Sequence, residues 1–503
     1  MNKIHKNIRS NLVGSVWSAV MGMAFIPLYI KYLGIEAYGL IGIFALLQAW
    51  AVLLDMGLSQ TLNREMARFC GGRYSVCDIR NLLCSIERVY MVIAVCLAAI
   101  VVALSEWLSV NWLHVDSLPI STVSQALSLS GVLLAVRWLG GLYRSGILGL
   151  QKQVIYNYYV LFFSTVKGAG VLGVLIWISP TIEAFFVFQS VVSIIEAWAL
   201  RAVLYRSLPP NDTTDKFSWM SLRSVASFAG GVIGITFSAM LLAQTDKVLL
   251  SKWLSLTEFG YYTLAGISAG GIHYILTPVA AAVSPRIAEA VARGEYEEVK
   301  KTYHMYTQLL VFIILPVVMV LVFFSDHFLL VWTQNTEIAN AVAPILSILA
   351  LGNLFNGLMY IPYLTQLAYG WTSFTLIVNL VAVCFLVPAI YFFALWKGAL
   401  GAAGAWLILN LFYVFCTLPI MHRKLLSGEL ASWYWKDVLP ALLCMFALGG
   451  LGRFLLPNPM LETWEVSIAI IVIMGGSSLA LGGAVLPEAR DVMKKLLIIR
   501  KKE

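Results

Sequence analysis

Apolar stretches of about 20 residues, each enough to carry a helix across a bilayer's hydrocarbon core, recur along this chain from Asn11 almost to Pro487. Composition agrees with that reading. Of 503 residues, 60% are hydrophobic and 12% are charged, whereas an ordinary soluble domain carries roughly 25% charged residues. A soluble fold has nowhere to hide so much apolar side chain. The expected class is an all-α polytopic membrane protein.

The spans fall near residues 11–32, 38–60, 89–109, 120–142, 154–178, 182–204, 225–247, 260–283, 304–325, 340–364, 373–393, 399–421, 438–456 and 465–486, about fourteen transmembrane helices. The basic start and the apolar run after it lack a convincing small-x-small cleavage site, so this run reads as an uncleaved first helix. The net charge of +8 does not point to nucleic acid, because the cations sit in alternate loops. Most of the 34 lysines and arginines lie in loops such as Arg64–Arg88, Arg201–Arg223, Arg286–Lys301 and the tail after Pro487. The positive-inside rule places those loops and both termini in the cytoplasm. The loops are too short to hold a soluble domain, so the helices themselves carry the function.

An internal repeat divides the chain. Lys31-Tyr32-Leu33-Gly34-Ile35-Glu36-Ala37-Tyr38-Gly39 lines up with Lys252-Trp253-Leu254-Ser255-Leu256-Thr257-Glu258-Phe259-Gly260, each an outward turn between two helices. A second echo sets Gly140, Leu142, Tyr143, Ile147 and Leu150 against Gly357, Met359, Tyr360, Leu364 and Leu367. Six helices per repeat keep the two sets parallel, as in some secondary transporters. The expected organisation is two pseudo-symmetric six-helix lobes, residues 1–216 and 217–424, followed at 425–503 by two extra helices and a basic cytoplasmic tail.

Several stretches resemble the O-antigen and polysaccharide flippases of the Wzx type. They are Pro27 to Gly39, Asp55-Met56-Gly57-Leu58, Thr245-Asp246-Lys247-Val248-Leu249-Leu250, and Ser284-Pro285-Arg286 leading to Arg293-Gly294-Glu295. That family belongs to the multidrug/oligosaccharidyl-lipid/polysaccharide exporter superfamily. The resemblance implies alternating access in a bacterial inner membrane, with no enzymatic step and no cofactor. The implied cargo is an oligosaccharide on an isoprenoid diphosphate, flipped to the outer leaflet for O-antigen, capsule or exopolysaccharide assembly. Membrane lipids and other polysaccharide-assembly membrane proteins are the implied partners. The rival readings are an ion-coupled multidrug or cation antiporter on the same fold and, from another class, a glycan polymerase or ligase. The outward loops lack the size and charge that such an enzyme usually brings to catalysis.

An anionic head group calls for cations inside the bilayer, where each charge is costly and so marks function by default. Lys167, deep in the fifth span, is the first candidate for the phosphate. Arg137 and Arg144 lie along one face of the fourth span, and an arginine fork suits phosphate oxygens. Arg64, at the inner end of the second span, is a weaker candidate. Glu196 could neutralise Lys167 or bind a coupling ion. Asp55 and Asp246 are the other acids considered for ion coupling, against hydration or helix capping. Trp17, Trp50, Trp138, Tyr158 and Tyr159 could stack on sugars, although most aromatics in membrane helices pack or anchor.

Other patterns read as structural. Gly168-Ala169-Gly170-Val171-Leu172-Gly173 matches the spacing of a dinucleotide fingerprint, but it sits in an apolar helix with no preceding strand, so close helix packing is the expected role. Cys70, Cys77 and Cys84 share a helical stripe without the histidine or carboxylate pattern of a zinc site. The run Arg293 to Lys301 reads as a solvated helix of mixed charge.

Overall fold

A computed structural model describes residues 2–55, 57–210, 216–219, 237, 240–456 and 464–486. Among these, secondary structure is helical, apart from an isolated bridge between His114 and Ser255. Twelve helical runs are long and apolar enough to cross a membrane. One of them, Thr372–Leu425, contains two of the expected spans. Most of the expected seventh span, 225–247, lies outside the described residues. The chain forms two compact units, Met1–Gly260 and Tyr261–Glu503. The lobe boundaries read from the repeat stand as a proposal.

The first unit is built from α1 (Asn2–Ala24), α2 (Ile26–Leu33), α3 (Ile35–Leu54), α4 (Leu58–Cys70), α5 (Val76–Trp107), α6 (Ile120–Gly149), α7 (Gln153–Thr165), α8 (Val171–Trp177) and α9 (Ile182–Ser207). The punctuation follows local chemistry. Pro27 sits in the first turn of α2, where its missing N–H costs nothing. Ser75 caps α5 by accepting from the Asp78 N–H at 3.1 Å, and Thr181 caps α9 by accepting from that of Ala184 at 3.3 Å, each satisfying an otherwise orphaned donor. Leu62, Met66, Leu82, Ile86, Leu142 and Leu204 form the core where α4, α5, α6 and α9 meet.

The repeated turns have a structural counterpart in this unit. A Cβ on Gly39 would collide with the Leu256 carbonyl oxygen, and one on Gly260 would meet that of Ile35 at 2.5 Å. The contact is reciprocal in the repeat, with Gly39 and Gly260 as equivalent positions and Ile35 and Leu256 likewise. Glu36, buried in the same turn, accepts from the Asp116 N–H at 2.7 Å and the Ser117 N–H at 3.1 Å, and also from the Ser117 hydroxyl. Asp116 in turn accepts from the Thr257 N–H at 3.3 Å.

From the end of the first unit, α10 (Leu256–Arg293) leads into α11 (Tyr296–Phe323), α12 (Ser325–Thr333), α13 (Thr336–Leu358), α14 (Tyr360–Ala368), α15 (Thr372–Phe412), α16 (Leu418–Leu425), α17 (Leu439–Leu455) and α18 (Trp464–Val485). The run Arg293 to Lys301 is not one helix. Gly294 takes φ +71°, a conformation that favours glycine, and turns α10 into α11. In α15, Lys397 and Gly398 leave helical geometry, Gly398 at φ +55° and ψ −135°, which separates the two spans within it.

Polar side chains attach the last two helices to α11 and α12. His304 bonds through Nδ1 to Asp437 and through Nε2 to Glu429 at 3.2 Å. Gln308 donates to Asp437 at 2.9 Å, and Lys300 reaches Glu429 at 3.0 Å. Farther along, Arg453 pairs with Asp326 at 2.6 Å, and His327 bonds to Ser467 at 3.0 Å.

Candidate functional site

Three of the predicted cations and one predicted acid converge in the first unit. Helices α1, α2, α3, α6, α7 and α9 enclose a cavity of about 470 Å³ lined by Arg137, Arg144, Lys167 and Glu196, among others. Helical periodicity explains the convergence. Arg137, Gly140, Gly141 and Arg144 form one stripe of α6, and Gln189, Ser193, Glu196 and Ala197 form one stripe of α9, spaced three to four residues apart as neighbours on a helix face are. Gly140 and Gly141 leave open space where a Cβ would stand, so they make room rather than contact.

Lys167 lies in a π-helical turn, Val166–Gly170, between α7 and α8, an irregularity that often marks functional sites. Its ammonium forms an ion pair with Glu196. The glycines beside it pack closely, since a Cβ on Gly168 would meet the Phe25 ring at 2.6 Å and one on Gly170 the Phe188 ring at 2.6 Å. Their role is helix packing, as expected. The Gly168 carbonyl accepts from the Tyr29 hydroxyl at 3.1 Å.

Arg137 is held by neutral groups. It donates to Gln189 Oε1 at 2.8 Å and to Gln48 Oε1 at 3.4 Å, and its guanidinium lies 5.1 Å from the Phe44 ring centroid. Among the described residues its buried Nε has no hydrogen-bond partner, nor does the hydroxyl of Ser193. Arg144 is exposed and stacks over the Tyr156 ring at 5.3 Å. Neither arginine makes an ion pair among the described residues. The cavity therefore holds three cations against one carboxylate, a surplus of two positive charges.

The remaining candidates lie elsewhere. Arg64 pairs with Glu65 at 2.5 Å, and Arg68 and Tyr74 donate to the same carboxylate at 3.0 and 2.8 Å. Asp55, just past α3, accepts from the backbone and hydroxyl of Ser59 at 3.1 and 2.7 Å, which is helix capping. Asp246 has the Lys247 ammonium 3.8 Å away. None of the three lines the cavity.

The five candidate stacking aromatics also lie outside the lining. Trp138 stacks on Tyr90 with centroids 4.1 Å apart, and Trp17 donates to Thr165 at 2.9 Å. The aromatics of the cavity are Tyr29 and Tyr156. Sequence reasoning missed these and the polar residues Gln48, Gln189 and Ser193. Gln189 and Ser193 could have been found as the residues one and two turns before Glu196 on its own stripe. It also missed Glu87, buried in α5, which accepts from Arg201 at 2.5 Å, Tyr143 at 2.7 Å and Tyr205 at 2.6 Å. A second cavity, of about 350 Å³ in the second unit, is lined by the Asp326–Arg453 pair and has no such surplus.

Comparison with known proteins gives the fold context. Residues 232–392 match the family model described as MatE. A Shigella flexneri protein named "Putative O-antigen transporter" is 23% identical over 412 residues, covering 80% of this chain and 94% of its own length. Among solved structures, the fold is similar to the lipid II flippase MurJ in an inward closed conformation, with TM-score 0.68 and 15% identity over 97% of this chain and 99% of that one. It is also similar to an inward-facing multidrug resistance MATE family transporter of the MOP superfamily, with TM-score 0.62 and 13% identity over 82% of this chain and 94% of that one.

Proposed function

We propose that the chain is a transporter or flippase of the multidrug/oligosaccharidyl-lipid/polysaccharide exporter superfamily, a reading supported by its similarities, and that its cargo is an oligosaccharide linked to an isoprenoid diphosphate. It moves that cargo from the cytoplasmic to the outer leaflet of a bacterial inner membrane, with its own termini in the cytoplasm. The observation that carries this reading is the pair of arginines, Arg137 and Arg144, facing a membrane-embedded cavity without an acidic partner among the described residues. A cation within a membrane span is expensive, whether half-buried as Arg137 is or exposed as Arg144 is, and is sustained where a partner arrives. A doubly esterified diphosphate brings two negative charges, which balance the surplus of two. Glycan hydroxyls suit Gln48, Gln189 and Ser193, and the lipid tail stays in the bilayer. The role of the protein is to shield the polar head while no covalent bond changes.

The MatE match favours a second reading, an ion-coupled exporter of cationic drugs on the same fold. The positive cavity opposes such cargo. Deleting the gene in its host and analysing both surface glycan and the lipid-linked pool separates the possibilities. Loss of surface glycan with completed single units trapped on the inner leaflet is the expected result. Unchanged glycan with altered drug sensitivity replaces the flippase by the antiporter, and single unpolymerised units at the surface point to a polymerase.

A further inference from the structure

The cationic cavity contains a carboxylate where an all-cationic lining would hold an anion more tightly. Glu196 lies beside Lys167 and three residues from Ser193 on the same face of α9. Ser193 is 2% exposed and its hydroxyl has no partner among the described residues. Buried donors in that state carry a desolvation cost that an incoming acceptor relieves. Neighbours three residues apart on a helix have Cβ atoms about 5–6 Å apart, so an anion accepting from Ser193 sits beside the Glu196 carboxylate.

We propose that Glu196 is a specificity-determining residue that admits a diphosphate esterified at both ends and rejects one with a terminal phosphate. The inference rests on the reading of this cavity as a diphosphate site. In a doubly esterified diphosphate, each phosphorus carries one negative charge and can turn a neutral ester oxygen toward the carboxylate. A terminal phosphate carries close to two charges at neutral pH, its second pKa being about 6, and has no ester oxygen on its outer side. One of its anionic oxygens must face Glu196. Two like charges about 6 Å apart repel at an effective dielectric constant of 20 to 40 strongly enough to weaken binding by about 10- to 100-fold, a range that the paired Lys167 ammonium reduces toward its lower end. Glu196 thus acts by repulsion, the usual route to discrimination between ligands that share their attractive contacts. It keeps nucleoside diphosphates and unglycosylated lipid diphosphate out of a site that has the charge to hold them.

The test uses the full-length protein in nanodiscs and two matched ligand pairs. One pair is a polyprenyl diphosphate with and without an attached sugar. The other is soluble, UDP-N-acetylglucosamine against UDP. The wild type is expected to prefer the glycosylated lipid by at least tenfold. Glu196→Gln should cut that preference about tenfold, and Glu196→Asp should keep it. The double variant Lys167→Met/Glu196→Gln removes the ion pair as a unit, preserves the charge surplus and should also lose the preference, which covers the case of a single variant that fails to fold. An unchanged preference in variants that still bind both lipids overturns the role of Glu196 and leaves the diphosphate site standing. Failure of the wild type to bind any of the four ligands overturns the site and this inference together. Binding and discrimination confined to the soluble pair supports the role of Glu196 and identifies nucleotide sugars as the source of the diphosphate, overturning the lipid cargo.

Discussion

Arg137 shows how a single side chain divides function from stability. It donates to the neutral amides of Gln48 and Gln189, which can also bond to each other or to a glutamine, so replacing it leaves no charge stranded. Arg137→Gln is expected to leave melting nearly unchanged while lowering transport about 10- to 100-fold, the worth of a charge-assisted hydrogen bond of about 1.5–3 kcal/mol. A flipping assay at matched expression checks it. Glu87 is the opposite case. It is buried under one arginine and two tyrosines, and Glu87→Gln is expected to cost about 2–3 kcal/mol of stability, read as a lower melting temperature, with no specific change in cargo preference. Glu65 adds a pH dependence. Burial raises its carboxyl, but hydrogen bonds from Tyr74, Arg64 and Arg68 with the Arg64 charge lower it further, leaving it below its ordinary 4.5. A depressed carboxyl stabilises the fold above its unfolded pKa and loses that contribution as pH falls through its folded value. Wild-type melting should therefore fall more steeply than that of Glu65→Gln as pH drops below about 4.5.

At the scale of elements, the two repeated turns matter because they meet glycine to backbone. With carbonyl oxygens about 2.5 Å from the Cβ positions of Gly39 and Gly260, a larger residue must push two turns apart. Gly39→Leu or Gly260→Leu should cost about 1–3 kcal/mol by overpacking, measurable by thermal unfolding in detergent, while the same change at Gly140, which faces open space, should spare stability and obstruct the cavity. Both repeated turns, glycines included, are legible as aligned sequence. Their mutual contact is not, because alignment gives equivalence and carries no distance. Some helix starts, such as Ile120 and Ile182, were legible from the apolar runs, whereas α5 starts at Val76 and α10 runs on to Arg293, well outside the expected spans 89–109 and 260–283, because their polar ends are helical without being apolar. The π-helical turn at Lys167 was not, since a single inserted residue leaves hydrophobic periodicity almost unchanged.

For the molecule as a whole, the second unit depends on its last two helices through polar contacts. Lipid replaces apolar contacts well, so packing alone holds membrane helices weakly and polar pairs matter more. Truncation after Leu425 would strand His304 and Gln308 without Asp437, and Asp326 without Arg453. Breaking one buried ion pair costs about 3–5 kcal/mol, so the truncated protein is expected to lose most of its monodisperse peak in fluorescence-detected chromatography, and Asp437→Asn to lose part of it. The sequence by itself determined the membrane class, the helical architecture and the identity of the rare intramembrane charges, because hydropathy and the cost of burying charge act residue by residue. It nominated Lys167, Arg137, Arg144 and Glu196, with Arg64 as a weaker candidate and Asp55 and Asp246 weighed against hydration or capping near helix ends. Tertiary structure alone decided that the first four share a cavity while the others serve caps and ion pairs elsewhere, because which face of a helix looks inward is fixed by the helices packed against it.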